Sequence, residues 1–262
     1  MAITLKSREQ IEHLRAAGRL VAETYEALAP HIAPGVTTAE LDSIAETFIR
    51  GKGALPVYKG YGALADRRGR LVRPGFPATI CVAVNDVICH GIPSTRQVLQ
   101  DGDIIGIDIG VVYRGWVGDS CKTFPVGTAD AQSRRLLEVA QRSLDIGIEQ
   151  ARAGKRLGDI GAAIQVYCEG QGFSTVREYA GHGVGRTLHE DPVVLHHGQR
   201  GTGLELRPGM VFTIEPMINV GRPETRVLDD QWTVCTADGS RSAQFEHTLA
   251  ITDNGPELLT TL

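Results

Sequence analysis

Asp108 and Asp119 lie in one apolar run, Asp103 to Val126, on either side of Arg114-Gly115. That dipeptide suits a tight hairpin turn. With those two residues as the loop, Asp108 falls opposite Cys121, and Asp119 falls opposite Gly110. Side chains alternate along a strand, so both acids leave the same face as diagonal neighbours, about 7–8 Å apart at the backbone. A single aspartate here would read as a solvated rim residue. Two like charges on one face of an apolar hairpin are costly unless a cation balances them.

Two more acids sit in β-like runs, where glutamate is depleted. Glu215 closes Val211-Phe212-Thr213-Ile214, and Glu246 lies within Ala243 to Leu249. Either alone would pass as an edge-strand charge. Among the histidines, His182 stands in Gly181-His182-Gly183-Val184-Gly185, where glycines let the backbone approach a ligand. His189 follows it, and His90 ends a strand before Gly91-Ile92-Pro93. His13 and His31 read as surface residues of a helical front, and His196 and His197 carry no particular signal. Taken together, Asp108, Asp119, His182, Glu215 and Glu246 would bring about four negative charges at neutral pH, which two divalent cations would cancel. Four carboxylates, one imidazole and no thiolate suit Mn, Fe or Co better than a thiolate-rich zinc site. Such a pair of cations polarises a carbonyl and activates a water, and amide hydrolysis follows naturally from that.

The elements that must position these residues repeat. Ser7 to Ala29 reads as a helix stopped at Pro30, followed by a second helix from Thr38 to Ile49. Shifted by 119 positions, Ala131 to Ala153 and Leu157 to Cys168 repeat that pair. Leu41, Ile44 and Ala45 fall on Ile160, Ala163 and Ile164, one apolar helix face in each copy. Strand-like runs follow each pair: Thr79 to His90, Asp103 to Val126, Val211 to Gly221 and Gln244 to Thr252. Two helix–helix–strand halves predict a pseudo-symmetric α/β domain whose strands face one cleft. No linker or compositional break divides the 262 residues, so residues 1–262 read as one domain.

Composition removes other classes. The net charge of −4 gives no global signature of nucleic-acid binding, and specific DNA binding is not expected. No stretch has the length of a membrane span, and Met1 to Arg15 lacks the apolar centre of a secretion signal. Five scattered cysteines with no CxxC pair read as reduced thiols of a cytoplasmic protein.

Five motifs in order carry a resemblance that covers nearly the whole chain. They are Cys89-His90-Gly91-Ile92-Pro93, Asp101-Gly102-Asp103 with Asp108 and Asp119, Gly181 to Arg186, Thr213-Ile214-Glu215-Pro216-Met217 and Gln244-Phe245-Glu246-His247-Thr248. The chain resembles the pita-bread metallopeptidases, and within them the type I methionine aminopeptidases. The resemblance implies an antiparallel sheet with helices on its outer face. It also implies a dinuclear site of Co, Mn, Fe or Zn, whose activated water attacks the scissile carbonyl of an N-terminal methionine. Asp108, Asp119, His182, Glu215 and Glu246 would be the ligands, with Asp119 and Glu246 bridging and Glu215 doubling as general base. His90 would meet the substrate near its amine and scissile nitrogen, and His189 its carbonyl oxygen. Cys81, Phe76, Trp232 and Tyr61 would line the methionine pocket. Asn85, Val87 and Ser242 match a monovalent-cation site in relatives. The expected partners are N-termini of nascent chains, preferably with a small second residue, and a transient ribosome contact.

Two departures touch the pocket. Leu188 replaces a usual aromatic residue, and Gly62 to Pro74 is an insertion, read as an exposed loop or short hairpin bearing Arg67, Arg68, Arg70 and Arg73. Prolidases and X-Pro aminopeptidases would keep the same ligands, but usually carry a large N-terminal domain. A non-catalytic relative would have lost ligands, and a type II enzyme would need a helical insertion in its second half.

Overall fold

Each half lays a helix pair against its own strands. In the computed structural model, which describes residues 3–66 and 68–262, the first pair is α1 (Arg8–Leu28) and α2 (Thr38–Gly51). The second is α3 (Ala131–Gln150) and α4 (Leu157–Gly170). Ser7 and Thr37 start the first two helices with capping boxes, and the Asp130 side chain caps the third. The repeat is exact for the second helix of each pair: Thr38 and Gly51 shifted by 119 give Leu157 and Gly170. Leu41, Ala45 and Ile49 and their counterparts Ile160, Ile164 and Cys168 are all fully buried. Even the residues before these helices correspond, Thr37 bridging Val98 and Arg156 bridging Glu205. The helix expected over Ala131 to Ala153 stops earlier, at Gln150, because Ala151 leaves helical geometry with ψ of 68°.

The first-half sheet pairs Ile80–Val84 with Ile104–Tyr113, which forms a hairpin with Trp116–Pro125. Arg114 and Gly115 make its turn with φ of 51° and 76°. The expected register holds: Asp108 pairs with Cys121, and Gly110 with Asp119. Ile105, Ile107, Ile109 and Val111 pack with Leu20, Val21, Leu41 and Ala45 of α1 and α2. By alternation, Asp108 and Asp119 leave the opposite face.

The second half breaks its strands. Val211–Ile214 and His247–Thr252 pair in one antiparallel sheet, then Met217–Asn219 and Ser242–Gln244 pair in another. The two residues Glu215-Pro216 and the two residues Phe245-Glu246 are the shared break. Glu246, expected inside a strand, therefore lies between two strands. The core of this half gathers Leu136, Val139 and Ala140 of α3, Ile160 and Ile164 of α4, and Phe212, Ile214, Ile218 and Leu249 of the strands. The halves are stitched along Trp116–Pro125. Glu246 N–H donates to the Cys121 carbonyl at 2.8 Å, and Thr248 Oγ1 donates to the Asp119 carbonyl at 2.7 Å. Among the described residues no helix is long and apolar enough to cross a membrane.

Candidate active site

A cavity of about 160 Å³ opens between the halves, and all five predicted ligands line it: Asp108, Asp119, His182, Glu215 and Glu246. His90, His189, Cys81, Phe76, Trp232, Tyr61 and Leu188 line the same cavity. The fold thus brings residues singled out in both halves of the sequence into one cavity.

Asp119, His182 and Glu246 bring ligand atoms within 4.8 Å of one another. His182 Nε2 lies 3.5 Å from Asp119 Oδ2 and 3.6 Å from Glu215 Oε1. Asp108 joins them through Tyr58, whose hydroxyl lies 2.5 Å from Asp108 Oδ1 and 2.6 Å from Asp119 Oδ1. In the second pair, the Glu215 carboxylate is held on both oxygens. Glu215 Oε1 accepts from Thr213 Oγ1 at 2.7 Å, and Oε2 accepts from Gln244 Nε2 at 3.2 Å.

The electrostatics call for a cation. Burial pushes the carboxyls of Asp108, Glu215 and Glu246 well above the usual carboxylate range, and that of Asp119 to about 6. Asp119 raises Asp108, Glu215 and Glu246 further, while the Tyr58 hydrogen bond pulls Asp108 and Asp119 down. No lysine or arginine lines the cavity among the described residues. The His182 ring contacts its neighbour's carbonyl through Nδ1, at 3.1 Å from Gly183 O, which leaves the Nε2 lone pair facing two carboxylates. Burial also holds His182 below the ordinary imidazole value, so protonation does not resolve that repulsion. A hard or borderline divalent cation fits this oxygen-rich donor set with one nitrogen.

His90 and His189 flank the acids. Burial brings each to about 4, so both are neutral at pH 7 and each carries one N–H. His90 sits at φ of 55°, a left-handed conformation uncommon for a non-glycine residue, at the end of Val87–Cys89. His189 packs against His182 with its ring tilted by 60° at 4.1 Å between centroids, and its Nδ1 meets the Tyr61 hydroxyl at 2.5 Å. The Asn85 carbonyl accepts from Ser242 N–H at 2.8 Å, which brings together two members of the expected monovalent-cation set.

Three participants escaped the sequence. Tyr58 is one, and Gly110 was its signal: a Cβ there would lie 2.9 Å from the Tyr58 ring and 2.3 Å from Val57 Cγ1, so the strand needs glycine for the tyrosine to reach the acids. His196 is another; read as an unremarkable loop residue, it is fully buried, and its Nε2 accepts from Glu215 N–H at 3.0 Å. Burial takes His196 to about 3, which keeps it an acceptor. Gln244 is the third. Its neighbour across the strand break could be known only once the register was.

The insertion is a hairpin of Leu64–Ala65 with Leu71–Arg73. It does not present four free arginines. Arg70 Nε pairs with Asp66 Oδ2 at 2.8 Å, and the Arg73 guanidinium lies 4.3 Å from the Trp232 ring. Arg68 is exposed, and Arg67 lies outside the described residues.

Paired halves around a buried acid–histidine cavity define a class of metal-dependent peptidase, and the chain belongs to metallopeptidase family M24, which matches residues 12–253. Within that family its relatives are more specific. It is 49% identical to methionine aminopeptidase 1 of Bacillus subtilis (strain 168) over 98% of this chain and 99% of that one. It is 46% identical to methionine aminopeptidase of Escherichia coli (strain K12) over 99% and 94%. Its fold superposes on methionine aminopeptidase from Rickettsia prowazekii with a TM-score of 0.93 at 42% identity, covering 99% of this chain and 100% of that one. The prolidase from Pyrococcus horikoshii OT3 shares the fold at a TM-score of 0.76 and 22% identity, but this chain covers only 63% of it. The architecture is thus the pseudo-two-fold pita-bread fold.

Proposed function

We propose that the chain is a methionine aminopeptidase that removes the initiator methionine from nascent polypeptides, working as one metallopeptidase domain in the cytoplasm. The observation that carries this reading is the juxtaposition in one cavity of four acids and His182 with a wall of Cys81, Phe76 and Trp232. Thiol and aromatic walls suit a polarisable thioether.

Asp108, Asp119, His182, Glu215 and Glu246 would hold two divalent ions, among Co, Mn, Fe and Zn, and a monovalent cation would sit near Asn85, Val87 and Ser242. Bound there, the divalent ions supply Lewis acidity toward the scissile carbonyl and toward a water. Glu215 serves as general base, its orientation fixed by Thr213 and Gln244. His189 donates to the carbonyl oxygen, where charge develops, and a neutral imidazole does so without the cost of burying a second cation. His90 donates toward the amine side of the scissile bond. Tyr61 holds His189 in place through its hydroxyl. A transient ribosome contact would use exposed Arg68 and Arg70, measured by salt-dependent co-sedimentation of a double serine variant.

The family resemblance implies a cramped site beyond the scissile bond, so a small second residue should be preferred. Met-Ala-Ser and Met-Gly-Ser should be cleaved well, Met-Lys-Ser and Met-Phe-Ser poorly, and an Ala-Pro peptide not at all. Equal rates across the Met series would defeat the methionine-excision reading, and preference for Ala-Pro would move the chain to the prolidase-like branch.

A further inference from the structure

We propose that Arg73, on the returning strand of the inserted hairpin, is a specificity residue that favours substrates carrying a carboxylate just downstream of the scissile bond. The inference rests on the methionine reading above and assigns a task to an arginine of the inserted hairpin that this reading leaves unused.

Arg73 is held in place and yet unpaired. Its guanidinium stacks over Trp232 at 4.3 Å, and Trp232 in turn meets Phe76 edge to face at 5.4 Å. Gly62, at the start of the hairpin with φ of 68°, makes room for this arrangement; a Cβ there would lie 2.7 Å from Arg73 Nη2 and 2.8 Å from the Trp232 ring. Arg73 Nε is buried with no hydrogen-bond partner, and no acid among the described residues forms an ion pair with Arg73. The contrast with Arg70 is direct, since the same hairpin gives Arg70 a carboxylate at 2.8 Å. A buried donor without an acceptor costs stability unless something else supplies one.

The guanidinium borders the cleft through Trp232: it stacks on that ring, which lines the cavity beside Phe76, while Arg73 itself stands just outside the lining. With methionine against Phe76 and Trp232, and the scissile bond between His90 and His189, the remainder of the peptide leaves across this rim. A guanidinium there would pair with an acidic side chain and disfavour a basic one. The alternative is that Arg73 only props Trp232 by cation–π stacking.

The two accounts separate with C-terminally amidated peptides Met-Ala-Xaa-Gly, with Xaa as Glu, Gln or Lys, cleaved by the metal-loaded full chain. Amidation removes the terminal carboxylate that would otherwise compete for Arg73. Wild type should prefer Glu over Lys in kcat/KM by about five- to tenfold, carried by KM and shrinking as salt is raised. Arg73→Met keeps bulk against Trp232 and should bring the ratio near one, while Arg73→Lys should retain most of it. A Glu-to-Lys ratio that is already near one in wild type, or that survives in Arg73→Met, overturns the proposal, as does an equal fall for all three peptides. Failure of wild type to cleave the Gln peptide would count against the methionine reading instead.

Discussion

The two halves share a helix plan and deliver their acids by different means. The first half holds Asp108 and Asp119 on an unbroken hairpin of ten-residue strands, where the ladder register alone fixes which face each acid occupies. The second half holds Glu215 and Glu246 at a shared strand break, where no ladder fixes them and individual hydrogen bonds do so instead. Glu215 is fixed by Thr213, Gln244 and His196, and Glu246 by its backbone contacts to Cys121 and Ser120. A regular element places a charged group economically. A break gives shorter reach and freer aim, but each placed group then needs partners of its own.

The harshest test of whether the halves contribute equally is truncation on each side. Asp108→Ala and Glu246→Ala should both lose bound metal and reduce kcat/KM on the order of 10³-fold or more, since residues acting as a unit fail together. Metal content of protein purified without chelators, read alongside activity, checks it. A fully metallated, active Asp108→Ala protein would remove the hairpin from the site.

That contrast also explains what the sequence disclosed. Alternation plus Arg114-Gly115 gave the face and register of the first pair of acids, because period two and a tight turn leave little freedom. The same reasoning applied to Glu246 placed it inside a strand, since a concerted sheet change leaves no mark in one strand's periodicity. Both partners must be known before the break appears, and Pro216 was the only local hint. The helix pairs were legible because burial repeats at Leu41 and Ile160 and at Ala45 and Ile164. His196 was not, because a lone histidine among polar neighbours looks the same whether buried or exposed. Tyr58 was legible in hindsight from Gly110 alone.

A gentler perturbation compares the supports of the two halves. Tyr58→Phe removes the hydroxyl that contacts Asp108 and Asp119, and Gln244→Leu removes the amide that orients Glu215. Partners of ligands typically carry 10–100-fold in metal affinity or activity, so both variants should fall within about that range. Because the ladder still fixes the aspartates, Tyr58→Phe should sit at the lower end and Gln244→Leu at the upper. Metal titrations followed by activity would measure both. A larger loss from Tyr58→Phe would mean that the hairpin does not position its acids unaided.

The smallest expected effect is on stability, where the two kinds of buried group pull in opposite directions. In the chelated protein Asp108, Glu215 and Glu246 have raised carboxyls, so above the ordinary carboxylate range the folded state keeps protons that the unfolded chain has released. Stability then falls as pH rises, because the unfolded state binds fewer protons. His90 and His189, at about 4, and His196, at about 3, act the other way below 6.5: the unfolded chain takes up protons that the folded state refuses, so stability falls as pH drops. The two trends oppose each other below 6.5, the ordinary imidazole value, and above it these histidines no longer contribute, so only the carboxyls act. Divalent metal competes with protons for the carboxylates, so it should remove the alkaline decline and leave the acid one. Melting temperatures of chelated and metal-loaded protein across pH 5 to 9 should diverge steadily toward high pH. A gap that stays constant with pH would mean that the cluster holds no extra protons without metal, and that the acids of both halves are balanced by something other than a cation.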